Sequence, residues 1–154
     1  MSYVTVKWLH ILSSTLLFGT GLGSAFYMFV VSRTRDVRAV AVVVRYVVIA
    51  DWAFTTPTII LQPLTGFYLV RLAGFPFDAQ WIMLSIALYL LAGACWLPVV
   101  WMQIKMREMA DEAIRAGSAL PATYWSYLRA WVALGVIAFL SLVWIFYLMV
   151  AKPM

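Results

Sequence analysis

The sequence contains a single histidine, His10, and it stands inside the apolar run VTVKWLHILSSTLLFGTGLGSAF. Six or seven residues into a helix that rises about 1.5 Å per residue, it lies roughly 10 Å below one membrane face. A neutral imidazole at that depth must place one N–H and one bare ring nitrogen. Two chemistries meet the demand. In one, the ring is hydrogen-bonded across helices, to Gln62, Ser85 or a carbonyl freed by a proline. In the other, a ring nitrogen ligates haem iron, for which imidazole is the usual axial ligand and a helical bundle a usual housing. His10, Ser14, Leu17, Gly21, Ser24 and Met28 share one helical face, whose small residues would admit a porphyrin. Lys7, one turn outward, and Arg71, at the outer end of the second span, stand where propionates would need cations. With no second histidine, a further ligand would be Met83 or Met149, or His10 of a second copy; the remaining choice is an open position.

Other residues offer weaker chemistry. Asp51 is the second ionisable group inside an apolar stretch, and such groups serve ion or proton paths or pair with one another. Arg129 enters its span at a comparable depth, so an Asp51–Arg129 ion pair is expected. Met102, Met106 and Met109 recur at helical spacing; thioethers suit Cu(I), yet methionines at such spacing also fill cores. Cys95 is the sole cysteine, which excludes an internal disulfide and leaves it a small packing residue. HExxH, a glycine-rich phosphate loop and CxxC are all missing.

These residues need a membrane scaffold. Of the 154 residues 66% are hydrophobic and only 11% charged, with a mean hydropathy of +0.96. A soluble domain carries about 25% charged residues, so this chain could not cover a water-facing surface. An all-α integral membrane four-helix bundle is predicted, as one transmembrane domain over 1–154. Spans of about 20 apolar residues fall at about 3–31, 46–72, 79–102 and 124–150. The second helix pattern begins earlier, near Asp36. A solvated helical extension, about 103–116, follows the third span, with Arg107–Asp111 and Asp111–Arg115 pairs expected at i,i+4. The N-terminus has only Lys7 as a basic region and too long an apolar run for a cleavable signal, so it reads as a span.

Charge sets the expected orientation. Eight of the 11 basic residues (Arg33, Arg35, Arg38, Arg45, Lys105, Arg107, Arg115 and Arg129) flank the first and third loops. Lys7, Arg71 and Lys152 flank the other face. In a bacterial inner membrane this places both termini outside the cytoplasm. The net charge of +5 then belongs to topology and anionic lipid, not to nucleic acid. Tyr124, Trp125, Tyr127 and Trp131 are expected in an inner aromatic belt. Trp8, Phe75, Phe77, Trp81, Trp144 and Tyr147 are expected in an outer one. Gly19 and Gly23 form a GxxxG pair suited to close helix packing, to a flat ligand or to a dimer contact. Pro57, Pro63 and Pro98 free the carbonyls of Ala53, Ile59 and Ala94, and the two in the second span, Pro57 and Pro63, are expected to kink it.

Leu9-His10-Ile11, the run Phe18-Gly19-Thr20-Gly21-Leu22-Gly23-Ser24-Ala25-Phe26, Asp51, and Gln62-Pro63-Leu64-Thr65-Gly66 resemble a bacterial family of predicted four-span integral membrane proteins, a domain of unknown function. The resemblance covers nearly the whole chain. More distantly, the layout is similar to the HemJ-type protoporphyrinogen oxidases and the CopD copper-resistance proteins. The HemJ resemblance implies haem b on the first-span histidine, here His10, and a third span opening at Trp81. The lysine of that family's third span has no counterpart: Ile82, Met83, Leu84 and Ser85 follow Trp81. If the chain is an enzyme, the resemblance implies a haem-dependent oxidoreductase. The function expected is therefore electron transfer by a cytochrome-like protein, beside a quinone, a second copy or a larger membrane complex. The alternative is a non-catalytic membrane subunit or assembly partner in which His10 only bonds internally.

Overall fold

A computed structural model describes residues 2–153 of the chain. Helix α1 runs Tyr3–Thr34, α2 Val37–Ala50, α3 Thr56–Ala73, α4 Gln80–Ala116 and α5 Ala122–Ala151. A π turn, Asp51–Thr55, joins α2 to α3, so the two form one continuous interrupted rod. The all-helical bundle expected from composition is what the chain forms. By length and hydropathy α1, α4 and α5 can each cross a bilayer. Neither α2 nor α3 qualifies alone; the second span needs both, joined through the π turn.

The breaks follow local chemistry. The Ser2 side chain accepts from the Thr5 N–H to start α1, and Asp36 accepts from the N–H groups of Arg38 and Ala39 to start α2. Gly74 (φ 70°) and Gly117 (φ 61°) end α3 and α4 in the left-handed conformation that glycine adopts without penalty. Arg35 takes the same conformation (φ 60°) without being glycine, at a cost of about 1 kcal/mol. It turns α1 straight into the rod.

The π turn lies immediately before Pro57. A proline ring collides with the carbonyl four residues back and offers it no N–H. Widening the turn ahead of it moves that carbonyl away, and the Thr56 N–H bonds instead to the Asp51 carbonyl, five residues back. Pro63 frees the carbonyl of Ile59, and α4 supplies its donor: Tyr89 Oη–H reaches Ile59 O at 2.5 Å.

The bundle has two unequal halves. At the basic end α1, α2, α4 and α5 converge on a core of Met28, Val40, Val44, Met106, Tyr124 and Trp131. Ser32 and Tyr124, both fully buried, hydrogen-bond there at 2.8 Å. At the other end α3 lies chiefly on α1 and α4 on α5, closed by Val70, Trp81, Ile82 and Leu148.

Several expectations are corrected. Tyr124 and Trp131 belong to the core and Trp81 is buried, because each helix turns these rings inward; Trp8, Phe77, Trp144 and Tyr147 do face outward. Asp111 pairs with Arg45 of α2 at 3.2 Å, not with Arg107 or Arg115, because α2 packs alongside α4 there. Arg115 pairs with Glu112 instead. Gly19, Gly21 and Gly23 make no close packing within the chain: a Cβ on any of them would meet nothing within 4 Å.

Candidate functional site

The chemistry-bearing residues gather along two polar seams inside the bundle. The first lies between α1 and α3, and its centre is His10. Its Nδ1 stands 2.7 Å from Thr65 Oγ1, which is itself 2.6 Å from the Leu61 carbonyl oxygen. Each contact is too short to lack a proton. The hydroxyl has one proton, and the carbonyl can only accept. Thr65 therefore donates to Leu61 O, and the imidazole donates Nδ1–H to Thr65. That arrangement leaves Nε2 as the nitrogen with a free lone pair.

Two neighbours complete this seam. Gln62 Nε2 donates to the His10 carbonyl at 2.9 Å and to Ser13 Oγ at 3.0 Å, locking the backbone that carries the ring. Gly66 stands against the ring's edge, where a Cβ would come 3.4 Å from His10 Cε1. The Gln62-Pro63-Leu64-Thr65-Gly66 stretch thus presents Gln62, Thr65 and Gly66 to His10 and Ser13 from one helical face. The internal bond expected of His10 goes to Thr65, not to Gln62 or Ser85; Ser85 donates within α4, to Trp81 O.

The second seam lies nearer the basic end, roughly 20 Å along the rod by helical rise. Asp51 is only 5% exposed and accepts from Thr55 Oγ1 at 2.8 Å. The carboxamide of Gln103, brought by α4, bears on the same carboxyl group. The expected Asp51–Arg129 pair does not form. Arg129 is exposed and donates to Ser126, one turn before it on α5. Among the described residues the ion pairs are Arg45–Asp111, Lys105–Glu108 and Arg115–Glu112.

The other candidates take up separate places. Ser14 donates to Ile11 O in its own helix, and Gly21 is exposed. Lys7 lies over the Tyr3 ring, and Arg71 is exposed in the last turn of α3. Met83 is 58% exposed, while Met149 packs on the Val70–Trp81–Leu148 cluster. Met102 and Met106 are buried in the core at the basic end with Met109 against it, which is packing among apolar neighbours. Cys95 is buried. Among the described residues no three His, Cys, Asp or Glu side chains could together hold a metal ion. A porphyrin iron asks less, because the macrocycle supplies four of its ligands.

Sequence reasoning missed Thr65 and Gly66 as partners of His10, and Gln103 as the partner of Asp51. The signal for the first pair was available: Gln62, Thr65 and Gly66 lie at i, i+3 and i+4, the spacing of one helical face.

An all-helical bundle with apolar outer faces, crossed by buried polar seams, defines an integral membrane protein. The chain belongs to the family described as Predicted integral membrane protein (DUF2269), whose profile matches residues 4–153. Comparison with curated proteins and with solved structures finds no match.

Proposed function

We propose that this chain is a membrane-embedded haem b protein of the electron-transfer type, with His10 Nε2 as the axial ligand. The observation that carries the reading is the proton count at Thr65. A ligating histidine characteristically donates its other ring N–H to an oxygen acceptor, which fixes tautomer and orientation. Thr65 takes that role here, Gln62 holds the α1 backbone still, and Gly66 leaves the ring its place. Lys7 and Arg71 are the cations at the same end of the bundle suited to propionates. A bound haem iron supplies one-electron chemistry, at a potential set by its ligands and their hydrogen bonds. The surrounding apolar helices suit a quinone or a second membrane protein as redox partner. The basic residues orient the chain in a bacterial inner membrane with its termini outside the cytoplasm.

The test is a visible spectrum of protein made in haem-supplemented cells and purified in detergent without a histidine tag. A Soret band is expected, lost in His10→Ala and retained in Thr65→Val with a shifted reduction potential. A haem-replete preparation with no Soret band overturns the reading.

One observation favours a second reading, a non-catalytic subunit of a larger assembly. Gly19 and Gly23 stand one turn apart on one side of α1, where an added Cβ would meet nothing within 4 Å, and small residues are what transmembrane helices use to approach one another. Under that reading the purified protein is colourless and carries partner chains in stoichiometric amount.

A further inference from the structure

Asp51 and Gln103 form a buried pair whose proton inventory is incomplete. Gln103 is only 2% exposed, and its Oε1, buried with it, has no hydrogen-bond donor from any other group. Asp51, 5% exposed, has one hydrogen bond from Thr55 and the Gln103 amide beside it. Among the described residues no cation bonds to it. On α2, Arg45 is turned to Asp111; on α4, Lys105 is turned to Glu108; on α5, Arg129 is turned to Ser126. Tyr27 of α1 and Tyr46 of α2 are exposed and make no bond to it, and the titratable groups of α3, Tyr68 and Arg71, lie more than four helical turns away. A charged carboxylate buried without a counter-charge is strongly disfavoured.

One added proton resolves both deficits. A carboxylic acid can donate O–H to an amide oxygen while the amide N–H donates back, closing a ring of two hydrogen bonds. We propose that Asp51 is a proton-binding site, occupied in the resting protein, with Gln103 as its reciprocal partner and Thr55 holding the second carboxyl oxygen. Release transfers the proton to water and leaves a carboxylate that keeps the Thr55 Oγ1–H bond, with the Gln103 amide N–H as its second donor. The same three side chains therefore serve both states. The π turn puts Asp51 at its first position, where the widened backbone and Thr55, one turn on, set the carboxyl group toward α4.

Infrared difference spectroscopy of the wild-type protein in sodium-free proteoliposomes tests this directly. Of the six acidic residues, Asp36, Asp78, Glu108 and Glu112 are exposed and Asp111 is ion-paired. A carboxylic-acid C=O band at neutral pH that shifts in D2O is assigned to Asp51 by substitution. Its presence, and its loss in Asp51→Asn with the fold retained by circular dichroism, is the result expected. Gln103→Leu shifts the band by removing its partner. A neutral-pH spectrum of folded wild type without the band overturns the proposal. So does a band that sodium chloride abolishes but choline chloride does not, since that outcome assigns the oxygens to Na+.

Discussion

At His10 the count of available protons decides which group donates to which. Thr65 Oγ1 makes two short contacts and owns one hydrogen, so His10 must provide the other. Removing the hydroxyl while keeping the shape, in Thr65→Val, strands the imidazole N–H. The expected loss is about 1–3 kcal/mol of stability, read as a lower Tm in detergent. Thr65→Ser, which keeps the oxygen, stays near wild type. If both variants melt together, Thr65 is not holding the ring. His10 was legible as the residue of interest because one imidazole stands in an apolar run. Its partner was less so: Gln62 and Thr65 are both polar neighbours at the right depth, and only the rotation of α3 about its own axis decides which reaches the ring and which the backbone.

At the element scale, the rod from Val37 to Ala73 shows how the helix breakers are accommodated. The prolines were readable as sites of freed carbonyls. The π turn was not, because hydropathy records which residues are apolar and says nothing of how one extra residue is taken up within a turn. The donor from α4 was hidden for the same reason: Tyr89 and Ile59 are 30 positions apart. Tyr89 matters only because Pro63 cannot supply an N–H to Ile59 O, which makes the two residues energetically coupled. Tyr89→Phe is expected to destabilise the protein by about 1–3 kcal/mol. In a Pro63→Ala background, where the helix regains its own bond, the same change costs measurably less. Equal costs in the two backgrounds, measured by a double-mutant cycle, would show that Tyr89 acts elsewhere. The start of the second helix near Asp36, by contrast, was plain, since a cap depends on local side-chain chemistry.

For the whole molecule, composition alone separates inside from outside. Charges are too scarce for a soluble surface, and those present cluster at one end. A core with Tyr124 and Ser32 fully buried joins four helices at that basic end, while the His10 seam lies toward the other. The chain therefore couples a tightly packed basic end to a looser end where α3 leans on α1. Orientation can be read by labelling intact cells with a membrane-impermeant maleimide, after Cys95 is replaced by Ala. Asp78→Cys, in the loop between α3 and α4, is expected to label from outside, and Ser118→Cys, in the loop between α4 and α5, only after lysis. The reverse pattern would invert the topology and put the His10 seam near the cytoplasmic face. What neither composition nor charge conveyed was which aromatic rings turn inward, because helices of this bundle are apolar on nearly every side and their rotation is set by packing.

The protonation of one ring decides whether Nε2 is free for iron, and because His10 is the only histidine, labelling it isolates its signal. Solid-state 15N NMR of 15N-histidine-labelled, haem-free protein in lipid at neutral pH gives the answer directly. A protonated Nδ1 and an unprotonated Nε2 are expected. A protonated Nε2 with a bare Nδ1 would contradict the proposed ligation, for the nitrogen assigned to the metal would then already be taken.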